Sequence, residues 1–369
     1  AIFILTFFFT GLFFASIYVA GIISVVPKKF SANPRTGFIS SLLIVVFFVG
    51  GVALGYGLFG NSLSLWYFQK SSFALNTTKD SKLSEEYMLK AIDTVPSDVY
   101  YRALSDIELF RLNEVLSQDA KKVTQEEVKK QFNDILTKAI TASKNAVEAD
   151  KTNYLNHISL GKVYEAVSVP QLNIQGAYES AGLAYQEALR LNPKNPGILM
   201  LFARLAINRN DLKLAESFAL QAIQLKNNYL DAYYILSQIE VATQNIQGAI
   251  RSVTAASVID PTNPAVFFQL GLLKYNVGDW VGAIESLEKA ISMTPDYANA
   301  KYFLGLAYEI TNQHDKAVKQ FQDLAKTNPD NKDVQDILAN LIEGKPIFKS
   351  PAESKPEKGS DLPVKEKTN

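Results

Sequence analysis

Residues 270–295 read LGLLKYNVGDWVGAIESLEKAISMTP. In this stretch Ala283 and Ala290 are seven residues apart, and Pro295 follows five positions later. The arrangement returns at steps of 34 residues, at Ala181/Ala188, Ala215/Ala222, Ala249/Ala256, Ala317, Pro193, Pro261 and Pro329. A 34-residue period is typical of stacked helix pairs, in which small residues let two helices approach and proline ends each unit. The sequence therefore predicts an all-α solenoid.

The register is regular over residues 154–331, which we predict to be the main repeat array. Weaker marks extend it backward: Ala139/Ala146, then Ala91/Pro96 with Leu65–Asn76 as the first helix of that unit. Residues 61–153 are therefore predicted as degenerate repeats, with five repeats secure in the whole chain and seven the maximum. Two insertions map to loops, and they cover Leu116–Glu127 and Val167–Gln175.

The array is predicted to end in a cap and a tail. Residues 332–343 form an apolar pattern expected of a capping helix, because a terminal repeat otherwise exposes its apolar side. Residues 344–369 are rich in Lys, Pro, Glu and Ser, a composition that predicts disorder. The tail is either simply solvated, which we favour, or binds an anionic surface.

The first 60 residues are almost uncharged and predict a membrane hairpin. Ala1–Val26 and Gly37–Gly60 are each long enough to span a bilayer core, which takes about 20 apolar residues. The alternative, a pair of buried core helices, is disfavoured by two uncharged runs of this length. Because the chain begins at Ala1 inside an apolar run, we expect its natural N-terminus to lie upstream.

The loop between the two runs sets the expected topology. Pro27–Thr36 carries Lys28, Lys29 and Arg35 and no acidic residue, and short basic loops stay in the cytoplasm. The repeats are then expected in the periplasm or outside the cell, on a bacterial cytoplasmic membrane. Trp66–Phe68 is either an aromatic belt at the interface or part of the first soluble helix.

The motifs resemble those of the tetratricopeptide repeat (TPR): Leu-Gly-x-x-Tyr, then Ala, a large residue, Ala and Pro. They occur at Leu160/Gly161/Tyr164, Leu270/Gly271, Leu304/Gly305/Tyr308, Tyr185 and Phe321. The resemblance implies a concave groove lined by the first helix of each pair, which binds a protein or peptide, or a glycan. By position, the groove residues are Met200, Arg204, Asn208, Tyr234, Gln238, Phe268, Tyr275, Asn276 and Tyr302. Inter-repeat packing is the alternative role for the aromatic positions.

Little in the chain indicates catalysis. Zero net charge does not suggest a nucleic-acid partner, and the absence of cysteine excludes disulfides and thiolate metal sites. We expect His157 to be packed in a first helix, His314 to be solvated, and Glu85 and Glu86 to be surface carboxylates. No phosphate loop, cofactor site or metal site is predicted.

The apolar hairpin running into repeats resembles the C-terminal part of bacterial O-antigen ligase or polymerase-type membrane proteins. The residues that carry this resemblance are Trp66–Lys70, Tyr87, Ala91 and Pro96. We therefore keep two hypotheses: a non-catalytic membrane-anchored scaffold, and the accessory domain of a membrane glycosyl-polymer ligase or transferase whose active site lies upstream. A third interpretation is a cytoplasmic scaffold with reversed topology.

Overall fold

The computed structural model describes residues 34–117, 124–169, 172, 174–347, 362–364 and 366. Over this part of the chain the structure is all-helical, as predicted, with fifteen α-helices and no strand. The helices are α1 Pro34–Asn76, α2 Ser81–Thr94, α3 Asp98–Leu116, α4 Gln125–Ala149, α5 Tyr154–Ala166, α6 Ala177–Leu191, α7 Pro196–Asn208, α8 Leu212–Leu225, α9 Leu230–Ala242, α10 Ile246–Ile259, α11 Pro264–Asn276, α12 Trp280–Met293, α13 Ala298–Ile310, α14 His314–Thr327 and α15 Lys332–Ile342.

These helices divide into two compact units, of which the first contains α1–α6 and the second α7–α15. In each unit the helices pack as antiparallel pairs, an odd-numbered helix followed by an even-numbered one. α15 packs against α14 and closes the second unit, at the place predicted for the cap. The described residues thus form seven helix pairs and one additional helix.

The alanine ladder lies where the paired helices meet. Every alanine of the 34-residue series is fully buried, from Ala181 to Ala317. Glycines on the facing helix allow the close approach: a Cβ atom on Gly271 would lie 2.7 Å from Leu287 Cγ, and one on Gly305 2.7 Å from Phe321 Cε2. Packing at this distance explains why these positions are small.

Polar residues begin the second helix of three successive pairs at the same step. Asp211, Asn245 and Asp279 each accept a hydrogen bond from the backbone of the first helical turn, at 3.0–3.1 Å. The preceding residue takes a left-handed conformation, with φ of 59° at Asn210, 64° at Gln244 and 80° at Gly278. A left-handed residue followed by an N-cap therefore sets the turn within these three pairs.

The first predicted span, Ala1–Val26, lies outside the described residues, and so does most of the basic loop Pro27–Thr36. The helix that contains the second predicted span, Gly37–Gly60, does not end with that span, because α1 continues unbroken to Asn76. Gly60 costs an internal helix only about 1 kcal/mol, which packing on α2 offsets. Among the described residues, this is the one helix long and apolar enough to cross a membrane.

α1 changes character along its length. The large apolar side chains between Phe38 and Phe59 are all exposed, whereas Ser64, Ser71 and Ala74 are buried against α2. Ser64 Oγ donates to Ala91 O at 2.8 Å, and Ser71 Oγ donates to Ser84 O at 2.7 Å. The second half of α1 is thus the first helix of a repeat pair.

The aromatic residues after the predicted span belong to this packing. The Tyr67 ring stacks on Tyr87, with 6.4 Å between centroids, and Phe68 contacts Tyr100 at 5.3 Å. Trp66 is 47% exposed, and Lys70 Nζ lies 5.5 Å from the centroid of its ring. Tyr67 and Phe68 therefore belong to the first helix pair, in agreement with the second of the two sequence interpretations.

Candidate partner-binding surface

The predicted aromatic column divides into packed and half-exposed members. Tyr234 on α9 and Tyr302 on α13 are half-buried, whereas Met200 on α7 and Phe268 on α11 are only 7% and 8% exposed. The Phe268 ring contacts those of Tyr297 and Phe303, at 4.9 and 6.3 Å. Met200 and Phe268 are therefore buried residues, and their assignment to an open groove is corrected, because almost none of their surface is exposed.

The predicted polar positions lie on the same first helices. Arg204 and Gln238, one 34-residue step apart, are both exposed, and Asn208 is half-buried. Asn276 is also half-buried, and its Oδ1 is a buried atom without a hydrogen-bond partner among the described residues. These side chains are the polar part of the candidate surface.

Tyr275 does not line an open groove. Its side chain is fully buried between Trp280 and Phe303, with ring centroids 5.0 and 5.6 Å away. Its hydroxyl finds no partner within the described part of the chain. Burial raises the pKa of this phenol above its ordinary value, so the group is neutral. The groove assignment of Tyr275 is corrected for the same reason as that of Phe268.

A short segment of the C-terminal tail lies against the start of α13, although the sequence predicts disorder for the whole of residues 344–369. Asn299 Nδ2 donates to Val364 O at 2.8 Å, and Val364 N donates to Asn299 Oδ1 at 3.1 Å. Asn331 Nδ2 donates to Pro363 O at 2.8 Å. The segment Leu362–Glu366, as far as it is described, is therefore held by side chains that hydrogen-bond its main chain.

The same segment brings a carboxylate to the first amides of α13 and an apolar side chain into the neighbouring apolar cluster. The Glu366 carboxylate accepts from the backbone N–H groups of Ala298 and Asn299, both at 2.9 Å, and from Asn299 Nδ2 at 2.7 Å. Val364 is 2% exposed and belongs to the apolar cluster that contains Phe268 and Phe303. We call this place the α13 seat, formed by Asn299, Asn331, the first two amides of α13 and this cluster.

The sequence did not reveal the α13 seat. Asn299 lies three positions before Tyr302 on the same helix. The two side chains therefore lie on the same face of α13, the face from which the groove was predicted. Leu362-Pro363-Val364 is an apolar island in a polar tail. Together, these two features are the sequence signals from which the α13 seat could have been predicted.

The first unit contains a buried ionic cluster between α2, α3 and α4. Glu85 pairs with Arg111 and, at 2.6 Å, with Lys138, and Arg111 also contacts Glu108 at 3.1 Å. Glu85 is therefore not the surface carboxylate expected from the sequence, because its side chain is only 13% exposed. An open cleft of about 530 Å³ lies beside the cluster, lined in part by Lys82, Arg111 and Lys138.

The two carboxylates of the cluster differ in pKa. Burial and the neighbouring Glu85 charge raise the pKa of Glu108 to about 7, although Arg111 opposes this. Burial also raises the pKa of Glu85, but the hydrogen bond from Lys138 and the charge of Arg111 outweigh it and lower the value. Because the charges pair with one another, we interpret the cluster as structural.

The two histidines occupy separate places. His157 is 9% exposed, and its Nε2 lies 3.0 Å from Lys151 O, a packed position. His314 is exposed, and its Nδ1 lies 2.9 Å from a Glu309 carboxylate oxygen. Within the described ranges, no group of three or more His, Asp or Glu residues is arranged to hold a metal ion.

Sequence comparison finds known proteins that are similar to part of this chain. The chain is 28% identical over 172 residues to the human protein O-mannosyl-transferase TMTC1, covering 45% of the chain and 19% of that protein. It is 30% identical over 95 residues to the Sol locus transcriptional repressor of Clostridium acetobutylicum, covering 26% of the chain and 30% of the repressor. The chain thus spans less than a third of each of these two relatives.

Solved structures with related helices include MamA, at 27% identity, TM-score 0.38, and coverage of 42% of this chain and 91% of that chain. YrrB, a TPR protein with an unusual peptide-binding site, is 19% identical, with TM-score 0.43 and coverages of 56% and 100%. Yeast Tom70 is 16% identical, with TM-score 0.48 and coverages of 86% and 60%. All three scores lie below 0.5, so none of them defines the fold.

The family comparison identifies the repeats. Residues 277–341, which cover α12 to α14 and all but the last residue of α15, match the model of the tetratricopeptide repeat. The match covers the part of the chain in which the buried ladder ends at Ala317, Phe321 and Leu324. Residues 277–341 of the chain are therefore identified as tetratricopeptide repeats.

Proposed function

We propose that this protein is a membrane-anchored TPR scaffold, and that the first helices of its second unit bind an extended segment of a partner protein. The observation that carries the proposal is the pair of exposed residues Arg204 and Gln238, one repeat apart, on first helices of the same unit as the half-buried Tyr234 and Tyr302. Side chains of this kind can offer hydrogen bonds at two successive repeats, and the two tyrosines can offer ring surfaces. Peptide or protein binding is the general role of TPR arrays.

The membrane part of the proposal rests on the exposed half of α1. Residues 38–59 carry large apolar side chains that nothing in the described structure covers. A helix of this length rises about 33 Å, close to the roughly 30 Å hydrocarbon core of a bilayer. Exposed apolar surface of this extent is characteristic of a membrane or protein interface. The external orientation stays a prediction.

Charge reversal on the candidate surface tests partner binding. In the source cells, the double variant Arg204→Glu/Gln238→Glu is expected to lose cross-linked complexes that the unmodified chain forms. The matched control is Arg251→Glu/Thr254→Glu, which makes the same charge change at two exposed residues of α10. Equal complex formation by both variants would refute the assignment of partner binding to the Arg204/Gln238 surface. Loss of complexes only in the control would assign partner binding to the second helices instead.

Two measurements test whether the chain is anchored in a membrane and on which side of that membrane the repeats lie. Alkaline carbonate is expected to leave the chain in the membrane pellet, and to release a variant that lacks residues 1–33 and carries Phe47→Lys and Val49→Lys in the exposed half of α1. Release of the unmodified chain would contradict the anchor. Protease added to intact cells or spheroplasts is expected to cut at Lys345, and cutting only after lysis would favour the cytoplasmic scaffold.

A second candidate is an accessory domain of a membrane glycosyl-polymer ligase or transferase. It is supported by the 172-residue similarity to a protein O-mannosyl-transferase, although this covers only 19% of that protein. The two candidates assign the same binding role to these residues and differ about the parent protein. Sequencing upstream of Ala1 separates them: eight or more further spans and a large polar loop favour the enzyme, and a start codon directly before Ala1 contradicts it.

A further inference from the structure

We propose that the α13 seat is a binding site for an extended protein segment carrying a β-branched residue and, two positions later, a carboxylate. We further propose that the chain's own tail occupies the site as an internal competitor. This inference rests on the proposed function, because it names the partner chemistry of the same first-helix surface. An external partner then binds by displacing Leu362–Glu366.

The first argument is recognition of the main chain. The carboxamide of Asn299, which is 1% exposed, both donates to Val364 O and accepts from Val364 N. Asn331 adds a hydrogen bond to Pro363 O. Backbone groups are common to all peptides, so these contacts select an extended conformation and supply affinity rather than sequence preference.

The second argument is the carboxylate at the start of α13. Several other helices begin with a side-chain cap, such as Asn263, which accepts from Ala265 N at 3.0 Å on α11. The residue before α13, Tyr297, occupies the N-cap position and makes no side-chain cap hydrogen bond. The Glu366 carboxylate accepts from the first two amides instead. Free amides and the helix dipole both favour a negative group there, so the site selects an acidic residue.

The third argument is the apolar contact. Val364 is 2% exposed within a cluster that includes Phe268 and Phe303, whereas Leu362 is 48% exposed. Burial of the valine side chain favours binding, and the close packing around it limits the size of the residue at this position. Recognition therefore depends on the Val and Glu positions and not on the Leu position.

Because the tail is part of the same chain, it competes effectively with an external segment for the α13 seat. The tail reaches the α13 seat from the same chain, so its local concentration is on the order of millimolar. A free segment of equal intrinsic affinity, with a dissociation constant near 0.1 mM, then binds about tenfold more weakly while the tail is seated. Any event that removes the tail exposes the site.

The test uses the full chain in detergent and a fluorescent peptide with the sequence of residues 361–369. Val364→Asp/Glu366→Gln in the chain releases the tail and is expected to tighten binding of the peptide about tenfold. Leu362→Ser is the matched control and is expected to bind as the unmodified chain does. A peptide carrying the same Val-to-Asp change is expected not to bind any of them.

A site variant completes the test. Asn299→Asp, added to the released chain, keeps the size of the side chain and suits a helix start. It removes two donors and repels the peptide carboxylate, so binding is expected to fall more than tenfold with unchanged helicity. Equal binding by the released and unmodified chains, or binding unaffected by Asn299→Asp, would overturn the α13 seat. Either result would leave the Arg204/Gln238 test of the proposed function standing.

Discussion

Gly271→Ala should destabilise the second unit, because α11 and α12 meet at this glycine. An added Cβ would lie 2.7 and 2.8 Å from Leu287 Cγ and Cδ2, and 3.3 Å from Ala283 O. Leu287 is fully buried and cannot turn away, and the carbonyl belongs to the backbone. One of the two helices must therefore shift.

The size of the effect follows from two opposing terms. Overpacking of a buried site costs about 1–3 kcal/mol, and contact with backbone places this site near 3. Replacing glycine by alanine within a helix returns about 1 kcal/mol. The expected net loss is about 2 kcal/mol, which lowers the melting temperature of a unit of this size by about 4–8 °C.

Circular dichroism melting of the full chain in detergent measures this effect. The control is Gly60→Ala on α1, where the nearest atom to an added Cβ is Val95 Cγ2 at 3.7 Å. That variant is expected to keep or raise stability, because only the helix preference changes. A Gly271→Ala protein as stable as the original would refute the close-packing explanation of the repeat.

Three further predictions concern buried side chains. The raised pKa of Glu108, about 7 against an ordinary 4.5, means that its contribution to stability is complete below pH 4.5 and is lost as the pH rises towards 7. The free energy of unfolding should therefore fall less between pH 5 and 8 in the Glu108→Gln variant than in the original protein, by at most about 3 kcal/mol. Urea unfolding that shows the same pH dependence for both proteins would contradict this prediction. Tyr275→Phe should be neutral or stabilising by about 1 kcal/mol, because the buried hydroxyl has no hydrogen-bond partner among the described residues. Marked destabilisation in the same assay would contradict this. Phe268→Ala should cost about 3–5 kcal/mol, whereas Tyr234→Ala should reduce partner binding with little loss of stability; equal melting of the two variants would contradict their different burial.

The repeat architecture was predictable because its signals are local. A small residue that faces another helix at close range must recur with the repeat, so the 34-residue alanine series identified the paired helices and their burial. The continuity of α1 was not predictable in the same way. An apolar span and an amphipathic helix join at Gly60 without a break, and only packing on α2 reveals that the second half is part of a repeat.

The candidate surface was only partly predictable. A common repeat position placed Tyr234 and Phe268 in one column, but burial differs between them because neighbouring side chains differ. The α13 seat joins residues more than 60 positions apart in the sequence and has no periodicity. A contact formed by Val364 and Glu366 leaves almost no trace in the composition of a polar tail.

Amide hydrogen exchange at the start of α13 tests most directly whether the first-helix surface holds an extended segment. The Ala298 and Asn299 amides are bonded to the Glu366 carboxylate, whereas the Ala265 amide of α11 is capped by Asn263 and serves as the internal reference. Glu366→Ala is expected to speed exchange at Ala298 and Asn299 at least tenfold, with Ala265 unchanged. The peptide of residues 361–369 should restore the protection when added in excess. Equal exchange at the two α13 amides with and without the Glu366 carboxylate would contradict the account.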